Sequence, residues 1–263
     1  MQLSGARVLL TGATGGLGEA IARVLSARGA SLILTGRRAE LLAALATELG
    51  ATTVAADLAN RGDVDELAGA AGEVDVLVAN AALPASGAVL GFETEQIDRA
   101  IEVNLRAPIV LTRALAPGMV ERGRGHIVLV SSLSGLTASP GSALYSATKF
   151  GLRGFAHGLR QDLHGTGVGV SVVLPGFIRD AGMFAESGAT LPPGVRTKSP
   201  RDVGMGVLRA IEQDRAEVIV APPELHVGSL LGGIAPGLSA TLQRLAGADK
   251  LNKAMADGHR SKR

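Results

Sequence analysis

The chain has 263 residues, no cysteine, 21 arginines against five lysines, and a formal net charge of +2. Its length and 46% hydrophobic content suit a single α/β domain with an ample interior, taken as residues 1–263. Without cysteine there is no disulfide, thiolate metal site or cysteine nucleophile, and His126, His157, His164, His226 and His259 lack ligand-like spacing, so no metal is expected.

The small net charge and the few aromatics also argue against nucleic acid, because they provide neither a phosphate-binding field nor a stacking platform. The N-terminal residues lack a charged segment followed by an apolar one, and no run approaches about eighteen apolar residues. A cytoplasmic chain with no membrane span is expected.

Runs rich in Val, Leu and Ile predict strands over 7–11, 31–35, 52–55, 75–79, 126–131, 168–174 and 217–220. Helical patterns over 17–28, 38–49, 61–71, 94–122, 142–165 and 200–213 separate them. Several strands are continuously apolar, as in parallel strands covered on both faces. The alternation predicts a doubly wound, Rossmann-type sheet of seven mostly parallel strands with helices on both faces.

In chain order, the first strand runs into Thr11-Gly12-Ala13-Thr14-Gly15-Gly16-Leu17-Gly18, which opens the first helix. Glycines let a backbone approach a pyrophosphate, and a helix N-terminus supplies unpaired N–H groups and positive partial charge. The second strand ends Gly36-Arg37-Arg38, with no acid before Glu40. Paired guanidiniums suit a ribose 2′-phosphate, so NADP is expected, with NAD as the alternative. One of the two arginines can equally start a solvated helix.

Tyr145, the only tyrosine, lies four residues before Lys149, the first lysine of the chain. That spacing puts phenol and ammonium on one helix face. A fixed cation beside a phenol favours its ionised form, so a lowered Tyr145 pKa and proton transfer near neutrality are expected. Ser131 and Ser132 stand upstream, and the tyrosine of an isolated Tyr-x-x-x-Lys pair would more often be a partly buried helix aromatic with its hydroxyl satisfied locally.

With these motifs together, residues 5–221 resemble the short-chain dehydrogenase/reductase family in its compact single-domain form. The resemblance implies an oxidoreductase acting on CH–OH or C=O with NAD(P). Ser132, Tyr145, Lys149 and Asn104 match its catalytic set, with Ser131 and Ser134 as rivals for the serine. Asp57, with Leu58, matches the acid at the adenine. Asn80 matches the sheet asparagine, although Ala79 and Ala82 replace an Asn and a Gly of that element. The implied cofactor contacts are Gly12, Thr14, Gly16, Leu17 and Gly18, then Arg37, Arg38, Asp57, Leu58 and Asn80, and finally Tyr145, Lys149, Pro175, Gly176 and Ile178.

After Pro175-Gly176, a threonine usual in the family is replaced by the run Phe177-Ile178-Arg179-Asp180; either Asp180 accepts from the carboxamide, or the loop is arranged differently. Residues 177–199 are expected as a substrate loop. Leu133, Leu136, Phe177, Met183 and Phe184 are the candidate pocket side chains, and they imply an apolar carbonyl or alcohol substrate. The resemblance also implies a homodimer or homotetramer. Alternatives are a catalytically silent NADP(H)-binding regulator, or an epimerase or dehydratase of the same superfamily.

Residues 222–263 form an extension ending in a basic tail, expected as a solvated helix. The sharper expectation is a lid, or a membrane-surface contact through Leu230, Leu231 and Ile234.

Overall fold

Seven apolar segments become seven strands: β1 (Arg7–Thr11), β2 (Ser31–Gly36), β3 (Thr52–Ala55), β4 (Val76–Ala79), β5 (Gly125–Val130), β6 (Val168–Pro175) and β7 (Glu217–Val220). In the computed structural model, which describes residues 1–191, 194–245 and 247–259, they form one parallel sheet in the order β3-β2-β1-β4-β5-β6-β7. The expected loop residues Pro192 and Pro193 and the tail residues 260–263 lie outside the described residues.

Alternation along each strand divides the core into two layers. Val8 and Leu10 of β1 pack with Ile21, Val207 and Ile211 of α1 (Gly16–Ser26) and α8 (Pro200–Glu212). Leu9 points the other way and packs with Leu67 of α3 (Arg61–Ala71) and Leu111 of α5 (Ala107–Glu121). With both faces covered, neither can be polar, which is why these strands read as unbroken apolar runs. Truncating Leu9 or Leu10, each fully buried, would cost about 2–5 kcal/mol.

The remaining helices on the sheet are α2 (Ala39–Leu49) and α6 (Ala143–Asp162), and α4 (Thr94–Ile101) packs on α6. The helix expected over 94–122 is interrupted by a π-helical turn, Glu102–Arg106, between α4 and α5. Pro108 supplies one physical reason. It has no N–H to donate to the carbonyl of Asn104, four residues earlier, so regular helix pairing cannot continue through that point.

The loop 177–199 is more ordered than expected. It contains a short helix, α7 (Gly182–Ser187), and a bridge from Ile178 to Lys198.

The single helix expected after residue 222 is instead three: α9 (Pro223–Ile234), α10 (Pro236–Leu245) and α11 (Ala248–Gly258). Pro223 and Pro236 each start a helix, and Gly247 turns the chain at φ 75° before α11. In α9 Ser229 is buried, whereas Leu230, Leu231 and Ile234 are exposed at 43%, 56% and 83%. Among the described residues no helix is long and apolar enough to cross a membrane.

His126 on β5 is buried and shares a 2.8 Å hydrogen bond between its Nε2 and the hydroxyl of Ser171 on β6. Burial pushes its pKa down to about 4, against the opposing pull of Asp214. A depressed histidine contributes stability that is complete above its unfolded value of 6.5 and is lost as pH falls towards 4, because the unfolded chain protonates first. The loss amounts to roughly 3 kcal/mol. Thermal melts from about pH 7 down to 4.5 should therefore show a falling Tm, and His126→Gln should flatten most of that slope.

Candidate active site

In the sheet order, β1 lies between β2 and β4, and chain direction from β1 diverges there. In open α/β sheets such a switch point leaves a crevice at the carboxyl ends of the strands. A cavity of about 640 Å³ occupies it.

Its floor is the turn after β1. Gly12 has φ 67°, and a Cβ there would stand 2.8 Å from the Cα of Ala81. A Cβ on Gly18 would lie 2.1 Å from the Gly12 carbonyl oxygen. Only bare backbone packs this tightly, and it brings the first turn of α1 to the cavity. The N-cap of α1, Gly15, offers no side chain to the first-turn N–H groups. Gly12, Thr14, Gly16, Leu17 and Gly18 all line the cavity, an arrangement suited to a bound anion.

At the end of β2, Arg37 and Arg38 both reach the cavity but differ in their partners. The Arg38 guanidinium donates to the Thr14 carbonyl. Arg37 is exposed and makes no hydrogen bond or ion pair with the described residues. Beyond β3, Leu58 is buried at the wall, and Asp57 Oδ1 accepts from Ala59 N at 3.1 Å. The other Asp57 oxygen lies 3.5 Å from Arg99 of α4, a cavity residue that nothing in the local sequence marks.

Asn80 closes the switch point. Its side-chain amide donates to the carbonyls of Thr11 at 3.1 Å and Gly12 at 3.3 Å. In return the Thr11 hydroxyl accepts from the backbone N–H groups of Asn80 and Ala81, each at 3.0 Å. The replacements Ala79 and Ala82 leave these bonds in place.

Ser132 and Tyr145 both line the opposite side, where the Ser132 hydroxyl acts on the Tyr145 phenol. Ser132 follows β5 and caps a short 3-10 turn, where its oxygen accepts from Ser134 N at 3.1 Å. Ser131 also borders the cavity, but its hydroxyl donates to the Lys149 carbonyl at 2.9 Å, and Ser134 stands outside the lining. Lys149 is 1% exposed; its amine donates to the Val130 carbonyl at 3.0 Å and lies 5.7 Å from the Tyr145 ring centre.

The expected lowering of the Tyr145 pKa is reversed in this structure. Burial pushes it up to about 12, and the Ser132 hydrogen bond pulls more weakly the other way. Burial also lowers Lys149 to about 8. For both groups desolvation is the largest influence.

Asn104 does not reach the cavity. It is 1% exposed on the π-helical turn and pairs with Leu83 through both backbone groups, at 2.7 Å and 3.0 Å. Its amide also lies 3.5 Å from the Thr148 hydroxyl, which donates to the Tyr145 carbonyl at 2.8 Å.

The far wall consists of Pro175, Gly176 and Ile178, then Ala181, Gly182, Met183, Phe184 and Glu186, and His259 from the end of α11. Asp180 is not the acceptor expected there: at φ 69° its carboxylate turns to solvent, 3.3 Å from Arg179. Of the expected pocket side chains, Met183 and Phe184 line the cavity, whereas Leu133, Leu136 and Phe177 do not. Leu136 belongs to the core, and the Phe177 ring packs on Phe184 with 5.0 Å between centres. His259 carried no signal in its own sequence neighbourhood.

Residues 6–192 match the family described as short chain dehydrogenase. The chain belongs to that family. It is an oxidoreductase that works between CH–OH and C=O with a nicotinamide dinucleotide. Among relatives of this short-chain dehydrogenase, the ketoacyl reductase HetN of Nostoc sp. is 35% identical over 83% of this chain and 79% of its own. A short-chain dehydrogenase from Sphingobium yanoikuyae, solved in complex with NADPH, is 28% identical with a TM-score of 0.77, covering 89% of this chain and 94% of that one. The bulky-bulky ketone specific alcohol dehydrogenase from Comamonas testosteroni is 26% identical with a TM-score of 0.75, covering 89% and 93%.

The glycine cradle, the uncapped α1 terminus and Arg37, which has no partner among the described residues, suit such a dinucleotide. The Asn80 tie is testable apart from activity. Asn80→Ala should lower the free energy of unfolding by about 1–3 kcal/mol, seen as a lower urea midpoint at unchanged slope.

Proposed function

We propose that this short-chain dehydrogenase is an NADPH-dependent reductase of apolar ketones or aldehydes. The observation that carries the reading is the Tyr145–Ser132 hydroxyl pair with buried Lys149 behind it, in the cavity whose β2 end presents an unpaired Arg37. NADP(H) is favoured over NAD(H) because no acid stands at the end of β2, where a ribose 2′-hydroxyl would need one.

In this reading Gly12–Gly18 and the α1 N-terminus hold the pyrophosphate, with Thr14 and Leu17 beside it. Arg37 takes the 2′-phosphate, and Arg38 braces the loop through Thr14. Asp57 and Leu58 border the adenine, Asn80 keeps the loop in register, and Pro175, Gly176 and Ile178 flank the nicotinamide. When bound, the dinucleotide supplies the hydride.

Ser132 donates a hydrogen bond to the substrate carbonyl oxygen and to the alkoxide that develops from it. Tyr145 gives its proton to that oxygen. A phenol held near 12 stays protonated at neutral pH, and an alkoxide is the stronger base, so the phenol can give its proton to that oxygen. Lys149 binds the nicotinamide ribose hydroxyls and restores charge behind the phenol. Asn104 orients this group through Leu83 and Thr148, and holds a water that leads from Lys149 to solvent.

Met183 and Phe184 at the far wall suit an apolar substrate, and the likeness to a ketone-specific dehydrogenase supports that class. The chain is read as one domain, with residues 177–199 as its substrate loop. Assembly into a homodimer or homotetramer is supported by exposed Ile101, Val120 and Phe150 on α4, α5 and α6. A cytoplasmic location belongs to the same reading.

Two outcomes test it. In a carbonyl panel with NADPH, apolar ketones should outrun polar sugars, and Tyr145→Phe should lower kcat by about 10²–10⁴ while NADPH still binds. Unchanged turnover in that variant would refute the mechanism. Separately, Arg37→Ala should raise the NADPH dissociation constant roughly tenfold and leave that of NADH nearly alone, measured by fluorescence titration.

A further inference from the structure

The far wall of the cavity rests on a helix that cannot hold itself. α7 has six residues and buries none of them, yet Gly182, Met183, Phe184 and Glu186 all line the cavity. It is entered through left-handed backbone at Asp180 (φ 69°) and Gly182 (φ 82°). A segment with so little burial takes its position from what packs on it.

Besides Phe177 on Phe184 and Leu17 against Gly182, what packs on it is α11. His259, at the end of that helix, is 1% exposed and borders the cavity, and its Nε2 donates to the Met183 carbonyl at 2.7 Å. A carbonyl only accepts, so this ring nitrogen carries the proton. At the other end of α7, a Cβ on Gly258 would stand 2.2 Å from the Ser187 carbonyl oxygen, so the two helices meet without intervening side chain. On its other flank, α11 places the Asn252 Cβ 3.8 Å from where a Cβ on Gly141 would be, and Gly141 lies four residues before Tyr145. One C-terminal helix therefore touches both ends of α7 and the turn leading to Tyr145.

We propose that His259 is a positioning residue that pins α7 through the Met183 carbonyl, and so sets the fit of the pocket for bulky apolar carbonyls. The proposal rests on the reductase reading and names the element that decides its substrate range. His259 acts on the substrate end of the cavity, about Met183 and Phe184. The entry to α7 also touches the phosphate loop, Ala181 against Gly16 and Gly182 against Leu17, whereas Arg37 stands apart at the end of β2.

The test compares His259→Ala, His259→Gln and Gly258→Val in the full-length protein. Gln keeps an N–H that can reach the Met183 carbonyl; Val leaves His259 in place but forces α11 away from Ser187. With a bulky aryl ketone, His259→Ala and Gly258→Val should lower kcat/KM about three- to tenfold, mainly through KM. Their NADPH dissociation constants should match the parent, and His259→Gln should recover most of the loss. Limited trypsin digestion, read by intact mass, should cut faster at Arg179, Arg196 or Lys198 in His259→Ala and at the parental rate in His259→Gln.

Parental KM and digestion in His259→Ala and Gly258→Val would overturn the proposal. So would Gln as damaging as Ala, or NADPH affinity falling in step with KM, which would mark a general loss of structure. If the parent protein reduces none of the carbonyls, the reductase reading fails by itself. The digestion rates then decide alone: faster in Ala and restored in Gln supports the pin, and equal rates dismiss it.

Discussion

The site depends on one seam, where Asn80 at the end of β4 is bonded to the carbonyls of Thr11 and Gly12 at the end of β1. Parallel strands leave their last carbonyls unpaired at a switch point, and a buried carbonyl without a donor costs about 1–3 kcal/mol. Asn80 meets that need with two N–H groups, while Thr11 repays the adjoining backbone through its hydroxyl. The seam holds Gly12 against Ala81, which in turn aims the α1 terminus. The phosphate end and the catalytic end thus share one rigid frame.

At the catalytic end, burial sets the chemistry. Lys149 lies fully inside the protein, held by the Val130 carbonyl, with Ser131 bonded to its own backbone. Its amine is thereby kept at the ring face of Tyr145, and desolvation moves both groups toward their neutral forms. The familiar picture of a cation lowering a neighbouring phenol needs the charge near the oxygen and a partner that keeps it charged. In the protein alone, desolvation of the phenol is the larger influence. The same burial that opposes ionisation keeps a proton on the phenol.

The wall facing this pair is built differently. Strands and long helices support Ser132, Tyr145 and Lys149, whereas Met183 and Phe184 come from a helix with no buried residue of its own. Its support arrives from residues more than seventy positions later. A rigid catalytic face opposed by a separately supported wall lets pocket shape change without disturbing the proton donor.

Much of this was legible in the amino-acid order. Buried parallel strands are continuous in Val, Leu and Ile, so the seven strands could be placed within one or two residues, and the glycines after β1 and the Tyr145–Lys149 spacing are local patterns. Other features were not local. The π-helical turn at Asn104 arises from Pro108 and the demands of Leu83, and Arg99 meets Asp57 only because α4 crosses the end of β3. The division of labour between Arg37 and Arg38 depends on where Thr14 lies, and Asp180 turns outward because of its backbone conformation. The sequence by itself determined the sheet and marked the glycine loop and the Tyr145–Lys149 pair, since each is written in short-range periodicity and spacing. Tertiary structure alone decided the pKa directions, the partners of the two arginines and the approach of His259 to Met183, because burial and contacts between distant segments have no trace in neighbouring residues.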